Sequence, residues 1–162
     1  MIRRTPHQIR PVLQVLSETK AVVIGGQAIN LWAEHFAPDE THWADLRPFT
    51  SYDLDVLGSR NDVVHCARGL GTEAYFPSSG DNTVNTGKIV FRLEGEDFEV
   101  DFLHTASGLS SAEVQELARN IEFEGITLRI LHPLHCLESK TVNLITLPQE
   151  AGDRQDLKHL RI

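Results

Sequence analysis

The stretch FTSYDLDVLG, residues 49–58, combines a strand-like apolar pattern with two aspartates placed one residue apart. Successive side chains of a strand point to opposite faces of its sheet. Leu54 and Val56 would therefore face one side, while Asp53 and Asp55 face the other. Two carboxylates on one patch repel each other unless a cation, hydrogen bonds or bulk water compensates their charges. The compensating group is therefore the first question about function.

The composition is that of an ordinary folded protein of modest size. The chain has 162 residues, 41% of them hydrophobic and 23% charged, which predicts one compact domain over residues 1–162. Its formal net charge of −8 argues against broad, non-specific binding to nucleic acid, although a local basic patch can still hold a phosphate. Net charge alone does not identify the partner.

The cysteines and the N-terminus predict a cytoplasmic protein without a membrane anchor. Cys66 and Cys136 lie far apart and show neither disulfide-framework nor zinc-ligand spacing, so a reducing compartment is expected. The basic residues 1–10 are not followed by an apolar core segment, and the longest apolar run is too short to span a bilayer. Neither export nor membrane binding is expected.

Apolar spacing and turn residues predict a chain in which helices and strands alternate. The N-terminal helix falls within residues 1–20 and the C-terminal helices within 133–162. The last apolar pattern has no cap, which fits either a terminal helix or a longer natural chain. The predicted order is a helix over 6–19, a strand over 20–26, a helix over 25–36, a loop over 37–50, the acidic strand, a helix over 60–71, a polar turn-rich segment over 72–87, a hairpin over 88–105, a helix over 110–120, a hairpin over 121–131, and helices over 133–147 and 153–162.

Two further features accompany the acidic pair. A buried strand ends in Gly25 and Gly26 where a helix begins, and a later strand carries Asp101 between Val100 and Phe102. Glycines at a helix N-terminus allow backbone N–H groups to approach a phosphate, which the helix dipole also favours. Carboxylates on neighbouring strands are hard oxygen ligands suited to Mg²⁺, which bridges protein carboxylates and substrate phosphates. Together these features favour a site for a metal ion and a triphosphate.

The order of Gly-Gly, D-x-D and a third acid resembles the signature of the nucleotidyltransferase superfamily related to DNA polymerase β. The matching stretches are VVIGGQAINLW, TSYDLDVLG and FEVDFLH, while ILHPLHCLESKTVNLI and GDRQDLKHL resemble the helical tail of AbiEii-type and related minimal nucleotidyltransferases. The resemblance extends from about residue 20 to the end, with the loop over 37–50 as an insertion. It implies an α/β fold with a mixed β-sheet flanked by helices, a helical C-terminal end, and a site along one edge or rim of the sheet.

The resemblance also implies a role for each matching residue. Gly25 and Gly26 would contact the β- and γ-phosphates of an NTP, and Asp53 and Asp55 would hold Mg²⁺. Asp101 would complete the second metal site and help to remove the proton from the attacking hydroxyl. The implied reaction is in-line attack on the α-phosphorus with release of pyrophosphate, in which two metal ions stabilise the entering and leaving oxygens.

Five other polar residues are weaker candidates. Ser51 stands where small relatives carry Ser or Thr, and Lys140 where relatives carry a lysine that faces the triphosphate, so the resemblance implies that both help to bind the nucleotide. A solvated helix lysine is the alternative for Lys140. Glu99 is a second candidate for the third metal ligand, because it shares that ligand's strand face. Lys88 and Arg92 share a strand face and would suit a phosphate, although solvated surface cations are more common.

Other interpretations of the motifs stay open. A lone D-x-D pair is more often a solvated edge-strand face than a site. A D-x-D sugar-nucleotide glycosyltransferase also binds a divalent cation, and a degenerate nucleotidyltransferase-like module would bind a nucleotide or a protein without turnover. His132, His135 and Cys136 suggest a transition-metal site only weakly, since no second ligand pair with suitable spacing is present.

The resemblance leaves the acceptor undecided among an RNA end such as that of a tRNA, a protein hydroxyl and a small molecule. Small members of the superfamily include toxins of toxin–antitoxin pairs and antibiotic-modifying enzymes, so an antitoxin-like protein partner is a further expectation. The loop over 37–50 and the segment over 72–87 are the expected specificity elements, because loops carry much of a protein's binding chemistry.

Overall fold

The structure, a computed structural model, describes residues 2–36, 41–146 and 157–162. Its helices are α1 (Arg10–Leu16), α2 (Gly25–Phe36), α3 (Arg60–Leu70), α4 (Ser111–Leu117) and α5 (Pro133–Thr146), with a 3-10 helix at Thr41–Leu46. Its strands are β1 (Val22–Val23), β2 (Asp53–Leu57), β3 (Ala74–Tyr75), β4 (Asn85–Leu93), β5 (Glu96–Leu103), β6 (Ala118–Phe123) and β7 (Ile126–Leu131).

The strands of the described residues form one seven-stranded mixed sheet in the order β3-β4-β5-β2-β1-β7-β6. β2 pairs in parallel with β5 and antiparallel with β1, and β1 pairs in parallel with β7. The predicted α/β fold with a mixed sheet and flanking helices is confirmed. Because β2 is hydrogen-bonded on both sides at the centre of the sheet, the interpretation of its two aspartates as an edge-strand face is wrong. The two aspartates therefore lie away from the edges of the sheet, and the other expected position of the site, along a rim, stays a prediction.

The two acidic strands each have a buried apolar face. Leu54 and Val56 of β2 and Phe98, Val100 and Phe102 of β5 are all essentially inaccessible to solvent, as the predicted alternation requires. Each such side chain stabilises the fold by about 1.5–3 kcal/mol relative to an exposed position. α3 packs against both α1 and β4. The apolar face therefore fixes β2 and β5 in register, and the acidic residues lie on the other face.

Helix α2 is held firmly beside the central strands. It packs against β2 and α5, and its residues Ala28 and Leu31 are fully buried. Trp32 is also buried, and its indole N–H donates a hydrogen bond of 2.8 Å to the carbonyl of Leu131 at the end of β7. These contacts fix where α2 begins, directly after the short strand β1.

Two predicted elements are wrong at their boundaries. The helix predicted over 110–120 ends at Leu117, because Ala118 is extended and pairs with Leu131 in β6. Sheet pairing here overrides local helix propensity. The segment 72–87, predicted to be irregular, contains β3 and the first residues of β4. Tyr75 pairs with Lys88 across these two strands, so this segment forms one edge of the sheet.

Two other predictions fall partly outside the described residues. The loop predicted over 37–50 contains the 3-10 helix, whereas 37–40 lie outside the described residues. The helix predicted over 153–162 is described only from 157 onward, where 157–159 are helical. Within the described ranges, none of the helices has the length and apolar character that crossing a membrane requires.

Helix α3 begins with a reciprocal capping box, which gives a test of the fold. Ser59 Oγ accepts a hydrogen bond of 3.4 Å from the Asp62 N–H, and Asp62 Oδ2 accepts one of 2.7 Å from the Ser59 N–H. We expect Ser59→Ala to lower the free energy of unfolding by about 1 kcal/mol. In thermal unfolding followed by circular dichroism this corresponds to about 2–4 °C. Ser79→Ala at an exposed position is the control; equal Tm values for both variants would contradict the capping role.

Candidate active site

Three carboxylates converge at the centre of the sheet. The parallel register of β2 and β5 places Asp55 opposite Asp101 and Asp53 opposite Glu99. One carboxylate oxygen each from Asp53, Asp55 and Asp101 lies within 4.8 Å of the others, and all three residues are half-buried. Among the described side chains, no other group of three His, Cys, Asp or Glu residues comes this close. We call these three residues the carboxylate cluster.

Glu99 does not belong to the carboxylate cluster, although it lies on the same face of β5. Its Oε2 accepts a hydrogen bond of 2.9 Å from Lys88 Nζ on the neighbouring strand β4. This bond raises the pKa of Lys88, so the ammonium group remains charged at neutral pH. Glu99 is opposite Asp53 but is bound by Lys88, so the third carboxylate of the cluster is that of Asp101. Lys88 lies beside the carboxylate cluster as the partner of Glu99.

The Asp101 carboxyl has an unfavourable environment for its charge. Partial burial raises its pKa above the ordinary value of 3.8; the charge of Lys88 acts in the opposite direction, and the charges of Glu99 and Asp53 raise the pKa further. Neighbouring carboxylates in a partly desolvated site disfavour one another's ionised form. A divalent cation would instead favour the ionised form of Asp101 and lower its pKa. Hard oxygen donors are the ligands that such cations prefer. The carboxylate cluster therefore fits a divalent metal site.

Ser51 supports one member of the carboxylate cluster from beneath. It is almost fully buried, and its Oγ donates a hydrogen bond of 3.4 Å to Asp53 Oδ1. The backbone of Ser51 exchanges two hydrogen bonds with Arg4, of 2.8 and 3.0 Å. Ser51 is thus fixed by the N-terminal segment and orients Asp53, so the structure places it behind the carboxylates.

The glycine pair at the start of α2 lies directly against the carboxylates. Gly25 has a positive φ of +64°, and a Cβ added there would lie 3.1 Å from Asp55 Cβ and even closer to its Oδ2. A Cβ at Gly26 would lie 2.6 Å from Ser51 Oγ and 2.6 Å from His159 Cε1. Only glycines allow this close approach, which brings the first N–H groups of the helix close to the carboxylate cluster.

His159 was missed by the sequence analysis. Its ring is fully buried against Gly26, so the last described segment packs behind the helix start. A single histidine in a polar stretch gives no sequence signal for such a position.

Lys140 lies in a small cavity together with Gly25 and Asp55. The cavity has a volume of about 190 Å³, and α5 also contributes Ser139 and Asn143 to its wall. Lys140 is only 9% exposed, so it is not a solvated helix lysine. Asn143 was not predicted, although its spacing of three residues from Lys140 places both on one helix face. We call this space the lysine cavity.

The remaining candidates lie in ordinary structural contacts. His135 Nδ1 is 2.9 Å from Glu138 Oε2, and His132 Nδ1 accepts a hydrogen bond from the Leu134 N–H. The Cys136 thiol donates to the Leu131 carbonyl, and burial raises its pKa to about 12. These contacts do not form a metal site. The Arg92 guanidinium donates to the Gly95 carbonyl in the hairpin turn, which places it away from the lysine cavity.

Solved structures with a similar fold include the JHP933 protein and two proteins described as nucleotidyltransferases or nucleotidyltransferase-like. JHP933 from Helicobacter pylori matches with a TM-score of 0.56 and 14% identity over 95% of this chain and 62% of that protein. An antigenic nucleotidyltransferase-like protein from Paracoccidioides brasiliensis matches with a TM-score of 0.61 and 11% identity over 99% and 77% of the two chains. A proposed nucleotidyltransferase from Thermotoga maritima matches with a TM-score of 0.53 and 15% identity over 94% and 88%.

These similarities establish the fold of the chain. Because the identities are low, they do not transfer an activity, and this chain spans less than two thirds of the JHP933 protein. No protein-family model and no curated protein sequence matches the chain.

Because the pKa of Asp101 is raised in the folded protein, its ionised carboxyl should lower the free energy of unfolding, and this effect should depend on pH. A carboxyl whose pKa is higher in the folded state destabilises that state at any pH above the folded pKa, and the penalty disappears as pH falls through that pKa towards 3.8. In metal-free buffer at neutral pH, we expect Asp101→Asn to be more stable than the wild type. Urea unfolding from pH 7 down to pH 4 should show the difference shrinking. Asp97→Asn, exposed on the same strand, is the control; a difference independent of pH would contradict this prediction.

Two substitutions can separate the effect of the close approach of Gly25 to Asp55 from the effect of the left-handed backbone at Gly25. Gly71 has nearly the same φ, +65°, but a Cβ there would have no neighbour within 4 Å. We expect Gly71→Ala to cost about 1–2 kcal/mol because of the left-handed backbone alone. Gly25→Ala should cost at least about 1 kcal/mol more, because the added methyl overpacks against the Asp55 carboxylate. Urea unfolding of both variants measures this, and equal losses would show that Asp55 simply moves aside.

Proposed function

Because the chain has the fold of nucleotidyltransferase-like proteins, we propose that it is a Mg²⁺-dependent nucleotidyltransferase that transfers an NMP unit from an NTP to a hydroxyl acceptor. The observation that carries this proposal is the convergence of the carboxylate cluster with the glycine start of α2 and the lysine cavity. Carboxylates, helix N–H groups and a cation are the groups that a metal–triphosphate complex requires.

The binding roles follow from the positions of the side chains. Asp53 and Asp55 would hold Mg²⁺, and Ser51 keeps Asp53 in its orientation. The first N–H groups of α2, at Gly25 and Gly26, would bind the β- and γ-phosphates, helped by the helix dipole. Lys140 lines the lysine cavity, where its ammonium group would offset the triphosphate charge. When bound, Mg²⁺ would stabilise charge on the entering and leaving oxygens.

In the proposed transfer, Asp101 would accept the proton of the acceptor hydroxyl. The acceptor oxygen forms a bond to the α-phosphorus, and the bond between that phosphorus and the bridging oxygen of pyrophosphate breaks. Pyrophosphate takes the electron pair of the broken bond. The acceptor proton passes to the Asp101 carboxylate and then to solvent. Asp101 is opposite Asp55 in the register of the sheet, and a carboxylate beside the reacting oxygen would act as the general base.

The proposal also covers the class of acceptor, a protein partner and the location of the protein in the cell. An RNA end, a protein hydroxyl and a small molecule all carry the required hydroxyl group, and an antitoxin-like protein remains a proposed partner. A cytoplasmic location would supply NTPs and fits the two free thiols of Cys66 and Cys136. A degenerate binding module has less support, since all three acids are present and close together.

Thermal unfolding with each of the four NTPs, with and without Mg²⁺, tests the proposed binding before any acceptor is known. A ligand that binds only the folded state stabilises it by about 2.7 kcal/mol at a hundred times its Kd. We expect the wild type to be stabilised by at least one NTP only when Mg²⁺ is present. The double variant Asp53→Asn/Asp55→Asn should remain folded and lose this stabilisation.

Asp97→Asn is the matched control for this experiment. Asp97 is an exposed acid on β5, outside the carboxylate cluster, so its substitution should leave the Mg²⁺–NTP effect intact. An NTP effect that persists in the double variant, or that does not need Mg²⁺, would contradict the proposed site.

A further inference from the structure

Tyr75 lies at the end of a row of cross-strand neighbours that begins at the carboxylate cluster. In the register of the sheet, Asp55 is opposite Asp101, Asp101 is opposite Lys88, and Lys88 is opposite Tyr75. Residues directly opposite each other on adjacent strands present their side chains on the same face. Tyr75 therefore shares a face with the carboxylates and lies two strands, or about 10 Å, from Asp101.

The Tyr75 ring is unusually accessible for an aromatic side chain in a sheet. It is 51% exposed, and its hydroxyl donates a hydrogen bond of 3.3 Å to Glu73 Oε2 on its own segment. β3 has two residues and forms the edge of the sheet. The ring contributes little to the core, so its ring face is available to a ligand.

A pocket of about 270 Å³ lies beside this ring, and its wall includes Tyr75, Phe76, Asp81, Thr83, Asn85 and Lys88. Gly87 brings the edge strand close, since a Cβ there would lie 3.0 Å from the Tyr75 carbonyl oxygen and 3.0 Å from Phe76 Cδ1. Sites for drug-sized ligands measure roughly 300–1,000 Å³. The pocket beside Tyr75, which we call the ring pocket, thus has space for one ring system.

The polar groups of the ring pocket suit an uncharged planar ligand. The charge of Lys88 is already paired with Glu99 at 2.9 Å. The other charged group of the wall is the Asp81 carboxylate, which accepts a hydrogen bond of 2.8 Å from the Ser78 N–H, so the pocket offers no spare cation for a phosphate. In the part of the chain that the structure describes, the Asn85 side-chain amide makes no hydrogen bond, and Thr83 Oγ1 accepts one from the Asn85 N–H. An amide and a hydroxyl next to an aromatic face can bind the edge and the face of a heterocycle.

The ring pocket and the lysine cavity lie on different sides of Asp101. The lysine cavity adjoins Gly25 at the start of α2 and Asp55 on β2, whereas the ring pocket adjoins β3 and β4. In an in-line displacement, the entering and leaving oxygens are on opposite sides of the phosphorus. If the triphosphate lies at Gly25 and Lys140, the entering hydroxyl approaches from the side of β4.

We propose that the ring pocket binds a planar heterocyclic ring of the acceptor, which stacks on Tyr75 while the acceptor's hydroxyl reaches Asp101. This inference rests on the proposed function for the position of the triphosphate. A nucleoside base and a phenolic ring both have the planar face, but the base also has a hydrogen-bonding edge that matches Asn85 and Thr83. The base is therefore the expected ligand.

The chain contains two tyrosines, Tyr52 and Tyr75, which makes a direct test practical. Protein labelled with 3-fluorotyrosine gives one ¹⁹F signal for each, and Tyr52→Phe assigns them. With a non-hydrolysable NTP and Mg²⁺ at saturation, we expect adenosine and cytidine to move the Tyr75 signal and leave the Tyr52 signal in place. N-acetyltyrosinamide represents the phenolic source, and glucose represents a hydroxyl compound without a planar ring.

Variants at Tyr75 measure the contribution of the stacked ring. Stacking of a base on an aromatic side chain is typically lost on substitution by alanine, so Tyr75→Ala should weaken nucleoside binding about tenfold or more. Tyr75→Phe keeps the ring and should bind within about twofold of the wild type. Stabilisation by Mg²⁺ and NTP alone should be unchanged in both variants, which also shows that they are folded.

Each other outcome is decisive. The proposal is overturned if no ring compound moves the Tyr75 signal, if Tyr75→Ala binds nucleosides as well as the wild type, or if Tyr75→Ala weakens NTP binding instead. A response to N-acetyltyrosinamide but not to nucleosides overturns the assignment to a base. If the wild type shows no Mg²⁺–NTP effect, the proposed function fails, and this result is separate from the response of Tyr75.

Discussion

Electrostatic repulsion among three half-buried carboxylates is the constraint on which the rest of the site depends. The sheet tolerates it because the opposite faces of β2 and β5 are fully apolar and fix the register that brings Asp53, Asp55 and Asp101 together. A fourth acid, Glu99, would add to the repulsion if Lys88 did not pair with it at 2.9 Å. The local environment therefore concentrates negative charge in one place. This charge favours the binding of a cation but lowers the free energy of unfolding of the metal-free protein.

The glycine start of α2 is the second part of the same arrangement. A Cβ at Gly25 would overlap Asp55 and a Cβ at Gly26 would overlap Ser51 and His159, so only glycines let the helix begin this close to the carboxylates. Trp32 holds the helix through its hydrogen bond to the end of β7. The positive end of the helix dipole and the carboxylate cluster are thus adjacent, an arrangement that suits a ligand with both a cation and phosphate groups.

Local periodicity explains what the sequence could predict. The two-residue alternation around Asp53, Asp55 and Asp101 identifies their shared face, since it depends only on strand geometry. The position of β2 at the centre of the sheet depends on pairing with distant segments and has no local signature. The extension of β6 over 118–120, the burial of Lys140 and the packing of His159 against Gly26 have the same origin. The row from Asp55 to Tyr75 follows from register alone, which a sequence does not contain.

The parallel pairing of β2 with β5 also has a kinetic consequence. All of α3, β3 and β4 lie between these strands in the chain, so their pairing closes a long loop, and the entropy of that closure opposes it. The carboxylates meet only when that pairing is complete, and their repulsion opposes it. If the pairing forms after the folding transition state, a bound cation acts on a contact that is absent from that state. We therefore expect it to slow the unfolding of the protein while leaving the folding rate almost unchanged.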